Sequence, residues 1–387
     1  MTGIGGRAAI VGIGQTEFSK ESGRSEMQLA CEAVKAAVDD AGLKPADVDG
    51  MVTFTVDENE EIEVARNVGI GNLTFFTRVP HGGGAAAGTV LQAAMAVATG
   101  VAEVVVCYRA FNERSGFRFG GAGRQPTALP LWLAPYAPFG LMTPAGWVAL
   151  HAQRYMSTYG ATNEDFGKIS VIDRKHAANN PDAWFYERPI TLADHQNSRW
   201  IIEPVLRLLD CCQESDGGVA IVVTSAERAR DLAKAPAVIT AAAQGAAYDG
   251  EVMTSYYRED IAGLPEMGVV GDKLWRDSGL TPSDITTAFL YDHFTPFVFT
   301  QLEELGFCGR GEAKDFVSVD ELSVGGSLPI NTNGGLLGEA YIHGMNGITE
   351  GVRQIRGTSY NQVDDVEHVL VTSGTGVPTS GLILAPV

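Results

Sequence analysis

Short apolar runs without polar alternation recur along the chain, among them Ala8–Val11, Met51–Phe54, Glu103–Cys107, Val219–Val223 and Ala288–Tyr291. Strands of this kind belong to a sheet that is covered on both faces. Between them lie stretches of helical period: Met27–Val38, the small-residue run Ala85–Thr99, and Val269–Arg276. Strands and helices that alternate in this way predict an α/β architecture.

The pattern occurs twice. Asp40-Ala-Gly-Leu-Lys-Pro-Ala-Asp47-Val48 leads into the strand Met51–Phe54, and Asp277-Ser-Gly-Leu-Thr-Pro-Ser-Asp284-Ile285 leads into Ala288–Tyr291. In each copy a helix stops at a glycine, and Pro-x-Asp then makes a short turn before a buried strand. A second echo follows. Gly82-Gly83-Gly84 opens the helix Ala85–Thr99 before the strand Val101–Cys107, while Gly334-Gly335 opens a segment running through Gly351–Gly357 to the strand His368–Thr372. A duplicated α/β unit is the simplest source of such a repeat. Residues 112–215 break it with many Pro, Trp and Tyr residues, as a loop insertion covering a site would. The predicted division is 1–111 with 216–235, then the insertion 112–215, then 236–387.

Charge narrows the class of partner. The 387 residues include 28 basic and 47 acidic side chains, a net charge of −19, which repels nucleic-acid backbones and anionic membrane surfaces. Arg114, Arg118 and Arg124, and the pair Arg174-Lys175, are the nearest approach to a basic cluster. A phosphate-bearing substrate therefore calls for help from a second protein. The five cysteines (Cys31, Cys107, Cys211, Cys212, Cys308) have no metal-binding spacing and read as reduced thiols. No leader peptide, membrane span or metal site is expected, and the location expected is cytoplasmic. Gly12-Ile-Gly14 lacks the third glycine and acidic residue of a dinucleotide loop. His176, Asp194 and His195 read as structural, and Cys107 as core.

Several segments resemble thiolases of the sterol-carrier-protein type: Asn180-Pro181, Leu209-Asp210-Cys211-Cys212 through Asp216-Gly217-Gly218, Tyr291-Asp292-His293-Phe294, Ile330-Asn331-Thr-Asn333-Gly334-Gly335 and Thr372-Ser-Gly374-Thr-Gly376. The resemblance implies a thiolase fold, with two βαβαβαββ halves in a five-layered αβαβα arrangement. It also shows what has changed. The position of the family's nucleophilic cysteine falls at Gly83, and that of its second cysteine at Thr372. Its two catalytic histidines fall at Tyr291 and Tyr341. Thiolysis and Claisen condensation by the thiolase route are therefore excluded.

Two histidines exchanged for two tyrosines, together with Pro80-His-Gly-Gly-Gly84, Tyr108–Gly116 and Asp173–Asn180, resemble the steroid side-chain-cleaving aldolases, the lipid-transfer-protein branch of the superfamily. That branch implies retro-aldol cleavage of a hydroxylated steroid acyl-CoA to a ring ketone and propionyl-CoA. No cofactor is implied beyond the coenzyme A of the substrate. A small OB-fold partner is implied, with a homodimeric core that forms a heterotetramer.

The chemistry needs a base for the hydroxyl proton and a donor for the enolate, and no covalent nucleophile. Tyr291 and Tyr341 are the expected acid–base pair, with the role of each left open. His293 and His343 are candidate neighbours, each two residues beyond a tyrosine. Asn331 is a candidate donor to the thioester oxygen. Backbone amides of the Gly82–Gly84 turn are expected to steady the enolate with it, and Gly82, Gly83, Gly84, Gly374 and Gly376 to line the acyl-CoA site. Asp292 is expected to stabilise its turn. Two other readings remain: an acyl-CoA or lipid carrier or scaffold descended from a thiolase, and a condensing enzyme whose cysteine has moved to Cys211, Cys212 or Cys308.

Overall fold

The computed structural model describes residues 3–116, 131–253, 255–376 and 379–387; Arg118 and Arg124 lie outside them. In chain order, the first half runs β1 (Ala8–Gln15), α1 (Glu26–Asp40), β2 (Gly50–Phe54), α2 (Glu61–Val68), β3 (Phe75–Val79), α3 (Ala86–Thr99) and β4 (Val104–Asn112). There follow α4 (Pro144–Tyr159), α5 (Asn163–Asn179), α6 (Leu192–Asn197) and a ribbon of β5 (Trp200–Ile202) and β6 (Leu206–Arg207). Next come β7 (Asp216–Ser225), α7 (Ala226–Ala229), β8 (Ala237–Gly245), α8 (Pro265–Ser278), β9 (Thr287–Phe289), α9 (Thr295–Glu304) and α10 (Ala313–Phe316). The chain ends with α11 (Gly335–Gly338), α12 (Met345–Arg356), β10 (Val369–Ser373) and β11 (Thr379–Ala385).

The strand order β3-β2-β4-β7-β1-β8-β11-β10-β9 makes the duplication visible. In the first half β2 is parallel to β4, and β4, β7 and β1 then pair antiparallel. In the second half β9 is parallel to β10, and β10, β11 and β8 pair antiparallel in the same way. A single parallel bridge from Ala288 to Ile330 stands in the place of β3.

Three apolar cores separate five layers. In β4, Val105 and Cys107 face one core while Val104, Val106 and Tyr108 face another, so one unbroken apolar run feeds two interiors. The central core joins α3 and α12 to strands of both halves: Val52, Val105 and Ile221 on one side, Phe289, Val371 and Leu382 on the other. The outer core of the first half is closed by α1 and α2. That of the second half is closed by α4, α5, α8 and α9. The result is the αβαβα thiolase fold. Gly12 and Gly14 serve this packing, since a Cβ at either would lie within 2.3 Å of the backbone of Ala37 on α1.

Two details depart from the pattern read in the sequence. The stretch 112–215, expected as a loop, carries the 16-residue α4 and the 17-residue α5, whose apolar faces complete a core. Gly334-Gly335 opens only the four-residue α11, and the counterpart of α3 is α12, which begins ten residues later. No helix among the described residues is long and apolar enough to cross a membrane.

The two halves meet through little backbone, because β1 and β8 share only two residue pairs. Arg356 at the end of α12 reinforces the joint. It ion-pairs with Asp40 of α1 at 2.7 Å and donates to the carbonyls of Val11 at 2.8 Å and Ala235 at 3.0 Å. Arg356→Met removes the donor to both carbonyls and leaves Asp40 with only Lys234 and the Ile13 N–H, and should cost about 1–3 kcal/mol. Equilibrium denaturation measures this, and a loss under about 0.5 kcal/mol would show that the joint is held elsewhere.

Candidate active site

The site forms where the carboxyl ends of the parallel strands converge, a common place for a cleft in α/β folds. Asp57 follows β2, the turn His81–Gly84 follows β3, Arg109 and Phe111 end β4, Tyr291 follows β9, and Gly374 follows β10. His81, Gly82, Gly83, Tyr341 and His343 are partly exposed and form the accessible floor, while Tyr291 behind them is only 2% exposed.

Tyr291 and Tyr341 share a hydrogen bond, hydroxyl to hydroxyl, at 2.9 Å. The Tyr291 backbone is held on both sides. Its N–H donates to Thr372 Oγ1 at 3.0 Å, its carbonyl accepts from Gln301 Nε2 at 2.8 Å, and Thr372 in turn donates to Gln301 Oε1 at 2.6 Å. A Cβ on Gly83 would lie 1.7 Å from the Tyr291 hydroxyl oxygen and 2.4 Å from its ring. Any side chain at Gly83 is therefore incompatible with the phenol where it stands.

The two histidines flank the phenols. His343 meets the Tyr341 ring edge-on at 5.1 Å and stacks on Phe111 at 4.9 Å. His293 lies 4.9 Å from the Tyr291 ring, stacks on Phe297, and shares a hydrogen bond with Thr375 at 3.0 Å. Burial pushes both phenols well above their ordinary value, and Cys212 and Glu113 add to this. Burial lowers His293 to about 3, while burial followed by the Arg109 charge pushes His343 well below the usual imidazole value. All four rings are thus uncharged near neutral pH.

Asn331 sits one layer deeper and is fully buried. Its Oδ1 accepts from the Leu290 N–H at 2.9 Å, and its Nδ2 has no hydrogen-bond partner among the described residues. Asp292 accepts from the N–H groups of Leu336 and Leu337 at 2.9 and 3.0 Å, capping α11, and burial pushes its carboxyl up to about 6. Gly374 lies against Gly83 and Gly84, whereas Gly376 lies against Met253, away from the phenols. His176 and His195 bond only to structural partners: His176 to Asn331 and Val324, His195 to Asp210 and Gln196. Cys107 is buried, and its thiol is pushed up to about 12 by that burial.

Residues 246–384 match the family described as thiolase C-terminal domain-like. The chain is 69% identical to a steroid side-chain-cleaving aldolase from Thermomonospora curvata, over 99% of each chain. It is 67% identical to a 17-hydroxy-3-oxo-4-pregnene-20-carboxyl-CoA lyase from Mycobacterium tuberculosis, over 98% of this chain and all of the relative. The chain belongs to the steroid side-chain-cleaving aldolase family. A solved structure described as an Ltp2-ChsH2(DUF35) aldolase superposes with a TM-score of 0.94 at 68% identity, covering 99% of this chain and 98% of that one.

As a member of this family the chain is a carbon–carbon lyase and not an acyltransferase, in agreement with the loss of both cysteines. What replaced each cysteine now supports Tyr291: Gly83 makes room for its hydroxyl, and Thr372 holds its backbone. Sequence reasoning missed Arg109, whose Nε donates to His343 Nδ1 at 3.0 Å and whose Nη1 pairs with Asp57 at 2.9 Å. An arginine in the otherwise apolar β4 was the available signal. It also passed over Cys212 and Glu113 as neighbours of the phenols. Burial raises the Cys212 thiol well above its ordinary value, so it is no ready nucleophile.

Gly83→Ala should displace Tyr291, costing about 1–3 kcal/mol by overpacking and most of the activity. Adding Tyr291→His should return stability without activity, which thermal unfolding and turnover of the two variants will separate. An active, fully stable Gly83→Ala chain would show that the phenol works from another position.

Proposed function

We propose that this chain cleaves a steroid acyl-CoA of the 17-hydroxy-3-oxo-4-pregnene-20-carboxyl-CoA class by retro-aldol chemistry, giving a 17-ketosteroid and propionyl-CoA. The observation that carries the reading is the hydrogen-bonded phenol pair beside the partly exposed turn His81–Gly83. Tyr341 is the partly exposed member and meets the substrate, while Tyr291 lies behind it.

The overall reaction moves one proton from the tertiary hydroxyl to the alpha carbon of the thioester. As the hydroxyl loses its proton, its oxygen forms the ketone and the bond to the alpha carbon breaks. That electron pair becomes the thioester enolate, which takes a proton at carbon. One phenol takes the hydroxyl proton as it passes its own to its hydrogen-bonded partner, whose proton goes to the enolate carbon, so both phenols begin and end neutral. The raised values of both phenols suit such a relay, which needs no resting phenolate and no resident cofactor.

Partner and location belong to the same proposal. With a net charge of −19, the chain is poorly suited to hold the coenzyme A phosphates alone. A DUF35 protein of OB-fold type, such as the one named with the similar solved structure, would complete the site. The same reading carries a homodimeric core with two partner chains, and a reducing cytoplasmic setting fits the five free cysteines.

The test is product analysis. With its DUF35 partner, the chain should convert the hydroxylated steroid acyl-CoA to the 17-ketosteroid and propionyl-CoA. Tyr291→Phe and Tyr341→Phe should each lower kcat by about 10²–10⁴ with little change in Tm. Near-normal turnover in both variants would overturn the dyad, and binding without cleavage would favour a carrier.

The pH dependence follows from the signs. The phenols are neutral below their raised values, and His293 is neutral above its lowered value of about 3. Asp292 keeps its carboxylate cap only above about 6. The profile of kcat should therefore be flat from about pH 7 to 9 and fall below about 6.

A further inference from the structure

The relay moves a proton but leaves the thioester oxygen, where the enolate charge appears, without an assigned donor. We infer that His343, held as its neutral Nε2–H tautomer by Arg109 and Asp57, donates to that oxygen. This rests on the retro-aldol reading and adds a catalytic residue to it.

The tautomer follows from the hydrogen bond that Arg109 makes. Arg109 Nε can only donate, and it lies 3.0 Å from His343 Nδ1. Nδ1 must therefore be the acceptor, and the one proton of the neutral ring is on Nε2. Arg109 cannot turn away, because Nη1 pairs with Asp57 Oδ2 at 2.9 Å and its guanidinium lies 4.1 Å over the Phe111 ring. Asp57 is fixed in turn, accepting the N–H groups of Asn59 at 2.8 Å and Ala110 at 3.1 Å. The groups facing His343 are Arg109 from β4 with Asp57 behind it, Glu26 near Arg109, Tyr341 edge-on, and His293 across the site. The nearest charge is positive, so a second proton on the ring is disfavoured.

Direction follows from the glycine turn. A Cβ on Gly82 would lie 3.1 Å from His343 Nε2, so the N–H faces the turn whose next residue makes room for the Tyr291 hydroxyl. The donor and the phenols thus converge on one side of one turn. His343 is partly exposed, whereas Asn331, whose Nδ2 is unpartnered among the described residues, is fully buried behind Leu290. A neutral imidazole aimed at a developing oxyanion is a suitable electrophile, because it stabilises charge without giving up its proton. Arg109 and Asp57 are positioning residues.

The geometry carries a second activity, exchange of the alpha proton of propionyl-CoA with solvent in the presence of the 17-ketosteroid: in reverse, that proton passes through the phenols to the ketone oxygen, and the hydroxyl so formed exchanges with D2O before the bond breaks again. The experiment incubates propionyl-CoA and the 17-ketosteroid in D2O with the chain and its partner, following deuterium uptake by mass spectrometry alongside steroid cleavage. His343→Asn, which lacks an N–H at the Nε2 position, should lower both rates by roughly 100-fold with little change in KM. His343→Gln, which can place an amide N–H near that position, should recover part of both. With seven histidines in the chain, ¹⁵N-histidine NMR can read the tautomer. The paired variant Arg109→Met/Asp57→Asn, which avoids a lone buried charge, should lose the Nε2–H signature of His343 and lower kcat while Tm changes little. A wild-type chain that neither exchanges nor cleaves overturns the dyad reading and this one with it. An active wild type with His343→Asn within about threefold of it overturns the role of His343 alone.

Discussion

The space beside the Gly83 backbone can hold a side chain on residue 83 or the hydroxyl of Tyr291, but not both, because a Cβ there would stand 1.7 Å from that oxygen. This exclusion links two sequence changes that look independent. A thiolase-type nucleophile at Gly83 and a phenol at Tyr291 cannot coexist, so the site either carries an acyl group on sulfur or presents a phenol. Thr372 and Gln301 then fix the Tyr291 backbone, and the phenol reaches Tyr341. The shift from acyl transfer to carbon–carbon cleavage is, at its root, a matter of packing.

Around that phenol the protein keeps its rings uncharged and its charges tied. Burial moves the tyrosines up and the histidines down, so none of the four is ionised near neutral pH. The charges close by are paired or capped: Arg109 by Asp57, and Asp292 by two backbone N–H groups at the start of α11. Such an environment suits a reaction that relocates a proton without net change in charge. It strengthens any dipole aimed at a transient enolate, since little water competes for it.

Much of this was legible in order along the chain. The paired Pro-x-Asp turns predicted the duplicated halves, and the structure returns them as two sets of strands with matching parallel and antiparallel pairings. Tyr291 and Tyr341 were named from the family resemblance, and His293 and His343 from standing two residues beyond them; the four rings meet. The helices of the insertion were missed because α4 carries Pro, Trp and Tyr residues and α5 many charged ones that obscure helical period, and their apolar faces find a core only in the folded chain. Asn331 is fully buried, with Oδ1 accepting from the Leu290 N–H and Nδ2 unpartnered among the described residues.

By itself the sequence determined the alternation and duplication of the α/β units, because these depend on local pattern; the loss of the cysteine route and the exchange of two histidines for two tyrosines came from its resemblance to the thiolases. Only the tertiary structure decided that Gly83 and Tyr291 compete for one space, that Arg109 sets the tautomer of His343, and that Tyr341 is the phenol facing the cleft. Those facts concern groups on different strands and turns, up to 234 residues apart for Arg109 and His343. Contact, burial and proton placement at such separations arise when the two halves close on the central helices, and no local pattern records them.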